Sequence, residues 1–299
     1  MNMTFDLVSL RFVFSAVDRI SFPPGQPGNI LRGAFGNAFR RIACFPDCPG
    51  SRTCPRREAC VYARIFEPAA SRKGPSGLKD WPRPFVFRAA YLDGRTVEPG
   101  ERFWFDVNLF EMQNPPLEQF AQAFAQLAKG VGPVRGRADL VSVEQRPISI
   151  SLEPGAGQVR RVRVEFVTPT ELKSGDQVVP QPDFGVLFAR VRDRISTLRA
   201  LYGPGALDID FRAMGERAKS VLMTRSDLRP VEIKRRSSRT GQVHGIGGFV
   251  GLAEYEAEYG GGLAEFIPYL EVASWTGVGR QCGWGKGELR VEILDAQRQ

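Results

Sequence analysis

Residues 160–203 read RRVRVEFVTPTELKSGDQVVPQPDFGVLFARVRDRISTLRALYG, a strand joined to a helix. RRVRVEFVTPT alternates with the two-residue period of a strand, and FGVLFARVRDRISTLRALYG takes up helical spacing over about five turns. Downstream, PVEIKRRSSR and GGFVGLAEYEAEY read as a pair of strands, LAEFIPYLEVASW as a helix and GELRVEIL as a closing strand. The order is strand, helix, strand pair, helix, strand. The upstream half repeats it. TFDLVSLRFVFSAV alternates at Leu10, Phe12 and Phe14, and the turn FPPGQPG ends it. Asn29 is then placed to cap a helix running to about Ile42, with Leu31, Phe35, Ala38, Phe39 and Ile42 as its apolar stripe. PFVFRAAYL and ERFWFDVNLF read as strands, LEQFAQAFAQLAKG as a helix, and ADLVSVEQRPISISLE as one or two strands. EPGAGQ, residues 153–158, is the natural linker. The prediction is an α+β protein of two tandem ferredoxin-like (RRM-like) domains, residues 1–155 and 156–299.

Composition narrows the partners. The chain has 299 residues, 25% of them charged and 42% hydrophobic, as in a folded soluble protein. No apolar run reaches the 18 or so residues that a bilayer span needs. The first residues, MNMTFDLVSLRF, lack a signal peptide's cleavage site, so the expected location is cytoplasmic. Lys plus Arg outnumber Asp plus Glu by 41 to 33 and give a net charge of +8, which points to a polyanion such as nucleic acid. Neither a phosphate-binding G-x-x-x-x-G-K-[ST] loop nor a dinucleotide fingerprint is present, which argues against an ATPase or a dehydrogenase.

A single histidine, His244, removes the zinc sites that need two or three imidazoles from one subunit. Four of the five cysteines fall in CFPDCPGSRTCPRREAC, at Cys44, Cys48, Cys54 and Cys60. In a turn-rich loop of a cytoplasmic chain this spacing predicts one structural zinc, with reduced free thiols or an iron–sulfur cluster as the alternatives. Four thiolates leave no open position for catalysis, so no catalytic metal is expected there. Cys282 reads as a small filler residue.

Three stretches together resemble the CRISPR-associated endoribonucleases of the RAMP superfamily, which cut precursor CRISPR RNA within its repeats. They are GNILRGAFGNAFRRIAC with the cysteines and VYARIFEP, VRVEFVTPTELKSG with PDFGVLFARVRDRISTLRALYG, and GGFVGLAEYEAEY with WTGVGRQCGWGKGELRV. The last is similar to that superfamily's glycine-rich loop, here residues 277–287 with Gly279, Gly283, Gly285 and Gly287, and with Arg280, Gln281 and Lys286 between them. Such glycines allow backbone amides to approach a phosphate chain. The resemblance implies tandem ferredoxin-like domains, repeat-RNA binding and metal-independent cleavage by the ribose 2′-hydroxyl. The products would carry a 2′,3′-cyclic phosphate and a 5′-hydroxyl. It also implies that the protein can stay on the 3′ hairpin within an effector complex, beside other CRISPR subunits. The alternative is a non-catalytic RAMP-type subunit that only binds the RNA.

Members of that superfamily often take a catalytic histidine from the first helix region, where this chain has Asn37. An amide cannot transfer protons. Two catalytic accounts follow: His244 as acid or base, or a slow reaction driven by in-line geometry with Arg32, Arg40 or Arg41 clamping the phosphate. The RNA-binding candidates are Arg41, Lys173, the run Lys234, Arg235, Arg236 and Arg239, and the loop residues Gly279, Arg280, Gln281, Gly283, Gly285, Lys286 and Gly287.

Overall fold

The computed structural model describes residues 3–45, 47–50, 53–68, 81–126, 130–131, 135–155, 157–236, 243–257 and 262–294. In the first half the elements are β1 (Thr4–Ala16), β2 (Ile20–Ser21), α1 (Pro27–Ala43), α2 (Val61–Ile65), β3 (Phe85–Arg88), β4 (Thr96–Val97), β5 (Arg102–Leu109), α3 (Leu117–Ala125) and β6 (Ala138–Ser151). In the second they are β7 (Arg161–Thr170), β8 (Leu172–Ser174), β9 (Gln177–Val179), α4 (Phe184–Tyr202), α5 (Phe211–Lys219), β10 (Val221–Val231), β11 (Lys234–Arg236), β12 (Val243–Gly245), β13 (Gly248–Ala257), α6 (Ile267–Thr276) and β14 (Leu289–Ile293).

The two large sheets run β3–β5–β1–β6 and β10–β13–β7–β14, and every pairing in them is antiparallel. In each half the first strand lies between the third and the fourth, the ferredoxin-like order that the alternation of periods predicts. β1 earns its central place by its pattern. Leu10, Phe12 and Phe14 point to a core that also takes Phe35 and Phe39 from α1 and Phe120 and Phe124 from α3. Phe35 stacks on Phe39 at 4.9 Å and on Phe124 at 4.9 Å, so phenylalanine rings fill most of this core.

The opposite face of the first sheet is not left to solvent. Phe5, Leu7, Val86 and Ile150 belong to the core of the second half, with Phe188, Tyr202 and Leu270 from α4 and α6. The connection between the halves is pinned at both ends, since the amide of Leu152 donates to Met3 and the carbonyl of Val159 accepts from Leu263.

The structure refines the local readings and departs from some of them. α1 begins at Pro27, two residues before Asn29, because proline's fixed φ and missing N–H suit the first helical turn. ADLVSVEQRPISISLE is one fourteen-residue strand, β6, whose Pro147 is tolerated because β6 lies at the sheet edge. α5 escapes the sequence reading, as FRAMGERAK buries only Met214 and Ala218. The strand partnering β13 is β10, ending at Val231, while Lys234–Arg236 turns off into a separate hairpin with Val243–Gly245.

Candidate functional site

α6 ends at Thr276 and opens into the glycine-rich loop. Gly277, Gly279, Gly285 and Gly287 have φ of 72°, 85°, 83° and 69°, a left-handed region that other residues avoid. The loop is closed on itself and on β7. The amide of Val278 donates to Gly287 at 2.9 Å, that of Arg280 to Glu171 at 3.1 Å, and that of Gly287 to Pro169 at 3.1 Å. Gly279 is obligatory for a second reason, since a Cβ there would meet the Glu171 carbonyl oxygen at 2.4 Å.

The far side of the loop meets α1. A Cβ added to Gly28 would lie 2.7 Å from Gly285 Cα and 2.9 Å from the Trp284 carbonyl oxygen, so the two backbones touch with no side chain between them. One turn along α1, Arg32 is only 8% exposed and packs its guanidinium between Phe66 (4.9 Å) and Trp284 (5.4 Å). Arg32 therefore holds the loop's tryptophan on the helix rather than presenting itself to solvent as a phosphate clamp. Trp284 was missed by the sequence reading, since one aromatic among glycines carries no period.

Beside this contact lies a cleft of about 560 Å³, whose walls include Gln26, Gly28, Thr168, Arg229, Ile233 and Trp284. The N-terminus of α1 opens onto it. That end has no acidic residue in its own first turn, and the Asp93 carboxylate, which lines the same cleft, accepts from the Gly25 amide just before the helix. Arg229 stands exposed on the opposite wall. Lys286 also lines the cleft, but its Nζ is buried and donates to Gly247 at 2.6 Å and to Gln281 at 3.1 Å. Burial pushes its ammonium below the ordinary lysine value.

The remaining candidates are scattered. Arg40 and Arg41 are exposed, but they sit eight and nine residues beyond Arg32, about 12 Å along the helix. Arg41 donates to Gln126 and is partly engaged. Arg280 pairs with Glu171 at 2.6 Å. Lys173, in β8, lines a second cavity of about 500 Å³ with Arg190 and Lys219, away from the cleft residues named above. The hairpin register sets His244 opposite Arg235 and Gly245 opposite Lys234, next to the cleft residue Ile233, whose carbonyl accepts from Ile246. Arg239 and the side chains of Lys234, Arg235, Arg236 and His244 lie outside the described residues.

The cysteine loop caps α1 and starts α2, with Cys44 and Cys60 at the two junctions. Cys44 is pushed up to about 11 by burial and by its hydrogen bond with Cys48, while Cys48 is lowered through the same hydrogen bond. Cys48 also bonds Cys54, and Cys60 donates to the Ala43 carbonyl. The thiols of Cys44, Cys48 and Cys54 thus lie in a hydrogen-bonded series. Among the described residues no group of three His, Cys, Asp or Glu side chains is set to hold a metal ion as it stands. No helix among them is long and apolar enough to cross a membrane.

Two family models match the chain in succession, meeting within β7. Residues 5–163 match the AF_1859 N-terminal domain family, and residues 164–289 match the family described as CRISPR-associated endoribonuclease Cas6. Among solved structures, Thermus thermophilus Cas6 is 14% identical with a TM-score of 0.56, covering 98% of this chain and 100% of that one. A Cas6 product complex is 18% identical with a TM-score of 0.56, covering 96% and 99%. The partial Cas6-RT-Cas1–Cas2 complex is 12% identical with a TM-score of 0.62, covering 98% of this chain and 47% of that one. At these identities the structural likeness shows a shared fold, the tandem ferredoxin-like architecture. No protein of curated function matches the sequence.

Proposed function

From the match of residues 164–289 to the CRISPR-associated endoribonuclease Cas6 family, we propose that the chain is a CRISPR-associated endoribonuclease of the RAMP superfamily and cuts CRISPR repeat RNA without a metal ion, in the cleft between α1 and the glycine-rich loop. The observation that carries this reading is the contact of Gly28 with Gly285. It brings the N-terminus of α1, a loop of left-handed glycines and the exposed Arg229 around one opening of a size to admit a nucleotide.

In this reading the scissile phosphate sits where the α1 dipole and Arg229 stabilise the extra negative charge of a pentacoordinate transition state. The ribose 2′-hydroxyl gives up its proton as its oxygen bonds phosphorus, the bond to the 5′-oxygen breaks, and the leaving oxygen takes up a proton. The products are a 2′,3′-cyclic phosphate and a 5′-hydroxyl. Cleft walls that hold the backbone in line supply much of the rate, since orientation alone removes a large entropic barrier. His244, on the hairpin that rises from Ile233, is the one imidazole within the chain for proton transfer. Arg32 supports the reaction from behind by fixing Trp284. Partners of the same reading are the repeat RNA and further CRISPR proteins, as a relative solved with reverse transcriptase, Cas1 and Cas2 illustrates.

The test is incubation with cognate repeat RNA in EDTA, with analysis of product ends. Cutting that leaves a cyclic phosphate and is abolished by a 2′-deoxy nucleotide before the cut supports the mechanism. Cutting of the deoxy substrate, or a requirement for divalent metal, overturns it. Tight binding without cutting would reassign the chain as an RNA-holding subunit.

A further inference from the structure

The last turn of α6 ends in three carbonyl groups that no intrahelical amide can satisfy. They are capped from outside by buried and half-buried side chains. Arg88, on β3 of the first half, donates Nη2 to Trp275 at 2.9 Å and to Ser274 at 3.2 Å. Asn108, on β5 beside it and 1% exposed, donates Nδ2 to the same Trp275 carbonyl at 2.9 Å. Arg194, on α4, gives both Nε and Nη2 to Thr276, at 3.1 and 3.0 Å. The next residue is Gly277, where the glycine-rich loop starts, and a Cβ there would stand 3.4 Å from Arg88 Nη2.

This arrangement is costly as a stabilising device. Arg88 Nε and Nη1 are buried and make no hydrogen bond among the described residues, and neither do Asn108 Oδ1 nor Glu288 Oε2. Burial pushes the Arg88 guanidinium below its ordinary value, with Glu288 the strongest charge opposing that fall. A desolvated cation with no ion-pair partner within 4 Å among the described residues contributes little net stability. It does fix geometry, because its terminal nitrogen Nη2 binds two successive carbonyls across the junction between the halves.

We infer that Arg88 is a positioning residue for the RNA cleft, tying the root of the glycine-rich loop to the first sheet so that Gly285 and Trp284 meet α1 in register. The loop is then moored to the first half at both ends, at its root by Arg88 and Asn108 and at its tip by Gly28 and Arg32. This inference rests on the proposed RNA cleavage for its kinetic readout and is independent of it for its structural one.

The experiment compares the full-length wild type with Arg88→Met, Arg88→Lys and Asn108→Ala. Amide exchange of residues 277–287 reads the loop directly and needs no RNA. Arg88→Met should leave the melting temperature within a few degrees of wild type and speed exchange in the loop by about tenfold, a local opening rather than global unfolding. Single-turnover cleavage at saturating repeat RNA should fall about tenfold or more, with RNA affinity within a few-fold, because the phosphate contacts lie elsewhere. Arg88→Lys, which can still reach the carbonyls, should recover most of both. Asn108→Ala should show the same loop opening to a smaller degree and serves if Arg88→Met fails to fold. A folded Arg88→Met with wild-type exchange in 277–287 and a wild-type rate overturns the inference. A wild type that cuts no repeat RNA overturns the proposed function alone, and loop exchange still decides the role of Arg88.

Discussion

Gly28 and Gly285 touch backbone to backbone across the two halves of the chain, with no room for even a methyl group on Gly28. The cleft exists because of this contact, since it sets the first turn of α1 against the glycine-rich loop.

Gly28→Ala should therefore push the loop off the helix, because the opposing atoms are backbone and cannot rotate aside. Single-turnover cleavage is expected to fall about 10²-fold, the cost of misplacing reacting groups by about an ångström. Gly33→Ala on the same helix is the control. Nothing stands within 4 Å of a Cβ there, so it should leave the rate unchanged and raise stability by up to about 1 kcal/mol. Equal damage from both substitutions would count against a contact-specific effect.

His244 and arginine make separable predictions. If the imidazole moves the proton, His244→Ala loses about 10²-fold in single-turnover rate with RNA affinity nearly unchanged. The exposed Arg229 on the cleft wall is expected to matter in either case. Arg229→Ala should lower the rate, and Arg40→Ala, at the far end of α1, should not.

RNA affinity should fall steeply with salt. Each phosphate contact removed reduces the slope of log K against log salt by about one unit or less. Arg229→Ala should show that reduction. Lys286→Ala should instead open the loop, because its Nζ is held by Gly247 and Gln281. Binding measured between low and high salt distinguishes the two.

The spacing of Cys44, Cys48, Cys54 and Cys60 predicts close to one zinc per chain on metal analysis of the purified protein. Cys54→Ser should then lower solubility and metal content together. Four titratable thiols in a folded, metal-free and active protein would make the hydrogen-bonded series of thiols its resting form.

Glu254 joins Arg163 at 2.8 Å and Arg161 at 3.1 Å on the second sheet. Arg163 first among them holds its carboxyl below the usual range. A depressed carboxylate contributes stability above its unfolded value, near 4, and loses it as pH falls through the folded value. Glu254→Gln should accordingly melt lower than wild type at neutral pH, and the difference should shrink in thermal melts below about pH 4.

How much was legible in the sequence depended on whether a residue's partners were near in the chain. β1, α1 and α4 announced themselves through apolar periods, and their repeated order identifies the fold. α5 stayed hidden because two buried residues in nine make no stripe. At the site the glycines were legible, because left-handed turns demand them, but the duties of the charges were not. Arg32, Lys286 and Arg280 all looked like phosphate ligands, yet each is engaged by protein groups distant in the chain. Arg88 and Asn108 gave no signal at all, since their partners lie more than 160 residues away.

The pinned connection between Leu152 and Val159 has a further consequence, because the two walls of the cleft come from opposite sides of it. It acts as a tether that sets the effective concentration of one half for the other. The apolar surface they share, Phe5 and Leu7 against Tyr202 and Leu270, would still favour docking if the chain were cut there. Assembly of the cleft would then become a bimolecular event, and RNA cutting would depend on dilution where the intact chain's does not.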